Sequence, residues 1–122
     1  MSTQPTTTDV AQRSQELHDF IASGRVLEAM HEFYDPDVRM QDDSEEPTLG
    51  FEANLAREKA WMENVQEWRS FELRSLAVRD NVSFAETAME FVTKDGQAIR
   101  LEQVSRAVWR DGRIVDERFY RA

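Results

Sequence analysis

The chain contains no cysteine, which excludes disulfides, thiolate metal sites and cysteine nucleophiles together. It has no apolar run long enough to cross a bilayer. The opening MSTQPTTT lacks the apolar core of a signal peptide, so a soluble, cytoplasmic protein is expected. Basic residues are in deficit: 15 Lys and Arg stand against 24 Asp and Glu, for a formal net charge of -9. Such a field repels phosphate backbones and anionic lipid at long range, so neither nucleic acid nor a membrane is expected as a partner. Also missing are a glycine-rich phosphate loop, a His-x-x-x-His metal helix and a Gly-x-Ser-x-Gly nucleophile turn. The acids Asp42, Asp43, Glu45 and Glu46 lack the alternation and the glycine of a calcium loop. No metal site and no cofactor are expected.

What the 122 residues do hold, 40% of them hydrophobic, is enough for one domain with one core. Residues 1–8 carry Pro, Ser and Thr without periodicity and are expected to form a flexible tail ahead of a single domain over 9–122. Asp9 is a candidate N-cap for a helix that gathers Val10, Leu17, Phe20 and Ile21 on one side and ends at Ser23-Gly24. A second helix is expected from Val26 to Tyr34, since Pro36 forbids continuation, and a third from Phe51 to about Trp68. Between them, Asp37 to Met40 is short enough for an edge strand, followed by an acidic loop.

The period then changes from helical to two, which predicts strands over 71–78, 82–92, 98–109 and a return through Arg121. The last pair is the clearest. Leu101, Gln103, Ser105, Ala107 and Trp109 share one face, Asp111-Gly112 supplies the reversal, and Val115, Glu117, Phe119 and Arg121 share a face on the way back. Three helices followed by four long antiparallel strands predict an α+β fold in which helices pack on one side of a strongly bent sheet. Short helices cannot fill such a curve, and the hollow left over is a natural ligand site.

The succession FYDPDVRMQDD, a loop through Pro47 to Gly50-Phe51-Glu52-Ala53, a tryptophan-bearing helix and strands ending in WRDGRIVDERFYR resembles the SnoaL-like branch of the nuclear transport factor 2-like superfamily, from about Asp9 to Arg121. The resemblance implies a cone-shaped, cystatin-like α+β barrel: a curved antiparallel/mixed sheet wrapped by three N-terminal helices, with one pocket for a small-molecule ligand. It also implies a homodimer formed through the sheet, whose outer face bears Arg100, Glu102, Val104, Arg106 and Val108. Members include polyketide cyclases, ketosteroid isomerases, dehydratases and limonene epoxide hydrolases, alongside proteins with no known activity. Fold therefore leaves function open.

By analogy with the ketosteroid isomerases, Asp42 stands where those enzymes carry the carboxylate that shuttles a proton beside a carbonyl, with Asp43 as competitor. A carboxylate walled by apolar groups becomes a better base near neutral pH; the alternative is a pair of solvated loop acids. The expected pocket adds Tyr34, Gln103, Ser105, Trp109, Glu117, Phe119 and Arg121. Glu86 and Glu90 join it if they share the face of Gln103. In the other register Glu86, Glu90 and Glu117 point outward, with Ser83, Ala85, Thr87, Met89 and Phe91 inward. The isomerase oxyanion donors correspond to Leu17 and Ser105, so steroid isomerisation is not expected. SnoaL cyclases pair an aspartate with a histidine; His18 and His31 read as surface or boundary residues. Trp61 and Trp68 read as core and rim packing. Two functions stand side by side: an isomerase, cyclase, dehydratase or lyase acting on an apolar carbonyl or cyclic substrate with Asp42 as base, and a non-catalytic ligand-binding or dimeric accessory domain.

Overall fold

The computed structural model describes residues 7–122. Most of the expected tail lies outside the described residues, and the first helix, α1, already runs Thr7–Ala22. Asp9 thus sits inside the first turn instead of capping it, where its charge still meets the positive end of the helix dipole. Gly24 takes a positive φ after the last turn and lets the chain reverse into α2, Val26–Phe33. The strand β1 follows at once as Tyr34–Asp42, then β2 Thr48–Leu49, α3 Phe51–Glu63, β3 Val65–Arg79, β4 Val82–Thr93, β5 Ala98–Arg110 and β6 Arg113–Arg121.

The six strands form one mixed sheet in the order β2-β1-β6-β5-β4-β3. Every pairing is antiparallel except β1 with β6, which is parallel. The sheet curves without closing, so it is an open cone with β2 and β3 as edges. Two expectations change here. β1 is an inner strand, paired on both sides, and its burial alternates through Tyr34, Val38 and Met40. Trp68 lies on β3 because α3 stops at Asn64 and the chain turns extended from Val65.

The Asp111-Gly112 turn has φ values of 52° and 79° at its two residues, the left-handed pair that matches the twist of a tight hairpin. Arg13 of α1 fastens that turn to the helices: its guanidinium donates to the Gly112 carbonyl and to Glu32 of α2. One correction concerns parity on β6. The pairing slips between Val108 and Trp109, so Trp109 opposes Ile114 while Ala107 opposes Glu117. This bulge turns Ile114 inward, where it is fully buried, and leaves Val115 half-buried and off the face that Glu117 presents.

The core gathers Val10 and Leu17 of α1, Met30 and Phe33 of α2, Val38 of β1 and Trp109 of β5. Trp109 is 0% exposed; its ring meets Phe33 edge to face at 6.5 Å and its indole N–H donates to Ser83 Oγ at 2.9 Å. It is therefore core, not pocket wall. Burying the large ring and satisfying its one polar atom together fix α2 against the sheet.

Candidate functional site

A cavity of about 390 Å³ lies between the concave face of the sheet and the three helices. Part of its apolar wall is aromatic. Trp61 of α3 meets Trp68 of β3 and Phe91 of β4 edge to face at 5.9 and 5.1 Å, and Trp68 stacks on Phe91 at 6.1 Å. The tryptophans line the cavity, so they do more than fill the core and rim.

Of the residues expected from the sequence, Tyr34, Asp42, Gln103, Ser105, Glu117, Phe119 and Arg121 all line this cavity. Glu86, Glu90 and Trp109 do not. Val92 faces Ala98 across the β4–β5 turn, which puts Thr87 opposite Gln103 and Ala85 opposite Ser105. Directly opposed residues share a face, so Ser83, Ala85, Thr87, Met89 and Phe91 turn inward and the intervening glutamates turn out. Glu90 pairs with Arg100 at 2.6 Å and Glu86 accepts from Ser75 at 3.0 Å, both on the outer surface.

Glu117 is the carboxyl whose surroundings matter most to the site. It sits on β6 between Met40 of β1 and Ala107 of β5, is 3% exposed, and accepts a hydrogen bond at 2.5 Å from the Tyr34 hydroxyl. Burial pushes its carboxyl up to about 8, the Tyr34 bond works against that rise, and the nearby charges of Glu58, Asp116 and Asp42 add to it. Tyr34 is raised well above the ordinary tyrosine range by burial and by the acid it touches. At neutral pH the pair therefore holds both its protons, with Glu117 a neutral acid.

Asp42 ends β1 and is gripped from two sides. Arg57 of α3 meets one carboxylate oxygen at 2.8 Å and Arg121 of β6 meets the other at 3.2 Å. Asp43, at φ 48°, turns away from the cavity: its carboxylate accepts from the Arg121 backbone N–H at 2.9 Å. Arg121 also donates to Gln103 Oε1 at 3.2 Å, which leaves the Gln103 amide NH₂ as a donor.

Sequence reasoning did not place one face of α3 in the cavity. On α3, Asn54, Arg57, Glu58 and Trp61 recur at i, i+3, i+4 and i+7, one helix face. That spacing was the available signal. Asn54 fixes the helix entry by donating to the Gly50 and Thr48 carbonyls. Burial raises Glu58, opposed by Arg57. His18 of α1 also lines the cavity, stacked on Phe71 at 6.3 Å, and burial pushes its imidazole down.

Residues 14–117 match the profile of the SnoaL-like domain. No curated protein matches the sequence. Among solved structures, a protein provisionally described as a SnoaL-like polyketide cyclase from Mesorhizobium loti superposes with a TM-score of 0.80 at 19% identity, covering 91% of this chain and 97% of that one. A protein described in the same terms from Jannaschia sp. gives 0.82 at 15% identity, covering 99% and 90%. A nuclear transport factor 2-like protein of unknown function from Burkholderia pseudomallei gives 0.80 at 14%, covering 93% and 91%. At these identities the likeness is one of fold.

Proposed function

The chain belongs to the SnoaL-like domain family, and on that premise we propose that it binds a small, largely apolar carbonyl or cyclic compound and moves a proton on it, with Glu117 as the acid/base group. The observation that carries this reading is a carboxyl raised to about 8 beside a cavity, with a tyrosine hydroxyl on one of its oxygens. A group with that affinity exchanges protons readily near neutral pH. In its ionised form Glu117 takes a proton from the carbon next to a carbonyl and, now neutral, returns it to a second carbon; the electron pair moves into the enolate and back. The Gln103 amide supplies a donor for the oxygen on which charge develops.

The role expected of Asp42 passes to Glu117 in this scheme. Asp42 has both oxygens on guanidinium groups and must break an ion pair to accept a proton. It serves as the anchor that aims Arg121, and through it Gln103, at the cavity. A binding-only function is favoured by one observation, that Tyr34 and Glu117 satisfy each other as a buried structural pair would. Hydrogen exchange separates the two. Uptake of deuterium from D₂O at the α-carbons of 2-tetralone, followed by proton NMR, is accelerated by the wild-type protein and not by Glu117→Gln if the catalytic reading holds; equal rates leave only binding.

We also propose a homodimer through the outer face of the sheet. Phe84, Val104 and Tyr120 are exposed there, and Val104 directly opposes both Glu86 and Tyr120. An apolar patch rimmed by charge suits a symmetric copy.

A further inference from the structure

The cavity carries a hydrogen-bonding feature at the end remote from Glu117. His18 is 6% exposed, lines the cavity and lies with its ring stacked on Phe71 of β3. Its Nδ1 is 2.7 Å from the Ser14 carbonyl oxygen. A carbonyl oxygen only accepts, so Nδ1 carries the hydrogen and Nε2 of the neutral ring keeps a lone pair. Burial favours that neutral ring. No described residue donates to Nε2. Ser14 Oγ is the one side-chain polar atom among the described residues that is sealed from solvent without a partner. Nε2 is therefore not sealed, and His18 is among the residues that line the cavity.

The opposite pole is made of donors. Neutral Glu117 offers an O–H, and Gln103, its oxygen taken by Arg121, offers an amide NH₂. Glu117 is on β6 and Phe71 on β3, three strand spacings apart in the sheet, and their register partners on β5, Ala107 and Leu101, are six residues apart along that strand. Between the poles the lining is apolar, through Leu101, Met89 and Phe91. A ligand that satisfies both ends must place an acceptor and a donor on opposite sides of a hydrophobic body.

We propose that His18 is a specificity-determining residue whose Nε2 accepts a hydrogen bond from the ligand. The substrate class is then a cyclic carbonyl compound bearing a hydroxyl or N–H on the ring remote from the carbonyl. This deepens the function proposed above and rests on it for the assignment of the carbonyl end. A ligand without the donor leaves a buried acceptor unpaired, which is the stronger form of discrimination available to a hydrogen-bonding site.

Calorimetric titration of 2-naphthol and 2-methoxynaphthalene, matched in shape and differing in the donor, tests it. The wild-type protein should prefer 2-naphthol by about tenfold. His18→Phe should erase the preference while retaining 2-methoxynaphthalene, and His18→Gln should restore part of it through the amide oxygen. Equal affinities in the wild type, or a preference that survives His18→Phe, overturns the assignment. Binding of neither probe overturns the ligand-cavity reading and the inference together. A measurement without any probe completes the test: the imidazole ¹⁵N spectrum should show His18 as the Nδ1–H tautomer, and an Nε2–H tautomer defeats the inference while leaving Glu117 untouched.

Discussion

Tyr34 and Glu117, 83 residues apart in sequence, meet at 2.5 Å because β1 and β6 pair in parallel inside the sheet. The tyrosine donates, and that bond is the one contribution that pulls the Glu117 carboxyl down against burial. Tyr34→Phe removes it without changing the ring's volume. The carboxyl should then titrate higher than about 8, visible in the ¹³C shift of labelled glutamate and as a displaced pH profile of 2-tetralone exchange. An unchanged titration would mean that the two groups are not coupled.

The same carboxyl makes stability depend on pH in a stated direction. Its ordinary value is 4.5 and its folded value about 8, so between those limits the folded state holds a proton that the unfolded state has released. Stability falls as pH rises through that window and levels off above it. Glu117→Gln keeps an acceptor for Tyr34 and cannot ionise. Urea unfolding should show the variant and the wild type alike near pH 4.5 and the variant more stable at pH 9, by on the order of a few kcal/mol. A constant difference across the range would assign it to packing alone.

Local rules in the sequence reach the final hairpin, because Asp111-Gly112 can adopt its φ values with little strain, and the inward face of β5, because Leu101 to Trp109 alternate without interruption. They do not reach the parity of β4. Met89 and Phe91 suit a core as well as Phe84 and Val92 do, and the choice is made by the turn that sets Val92 opposite Ala98. Trp68 belongs to a stretch whose apolar spacing fits a helix and a bulged strand alike, and the register irregularities of β3 hide its period. The grip of Arg57 and Arg121 on Asp42 joins three elements and has no local signature. Alternation reached the inward side of Glu117, but the bulge between Val108 and Trp109 that sets it opposite Ala107 has no signature in composition.

Trp109 tests the division between core and cavity. Its ring is enclosed, touches Phe33 and donates to Ser83. Trp109→Phe should cost stability, leaving Ser83 without its donor and a void beside Phe33, while 2-methoxynaphthalene affinity holds; Trp109→Ala should cost about 3–5 kcal/mol. Denaturant midpoints and calorimetry on the same samples would separate the effects. Loss of probe binding in a folded Trp109→Phe protein would return the residue to the cavity wall.

Asp42 and Glu117 differ in how their oxygens are spent, and the difference orders the consequences of removing each. Glu117→Gln deletes the lining carboxyl raised to about 8, so 2-tetralone exchange should fall by the roughly 100- to 10,000-fold that a positioned acid/base group contributes. Asp42→Asn keeps the shape but releases Arg57 and Arg121, which are 50% and 35% exposed and recover much of their solvation. The stability loss is accordingly small, about 1 kcal/mol or less. Exchange should decline less than with Glu117→Gln, through the lost aim of Gln103. The two variants are compared at saturating 2-tetralone, so that weaker binding does not pass for slower chemistry. If Asp42→Asn abolishes exchange and Glu117→Gln does not, the base is the aspartate, and its ion pairs open when ligand enters.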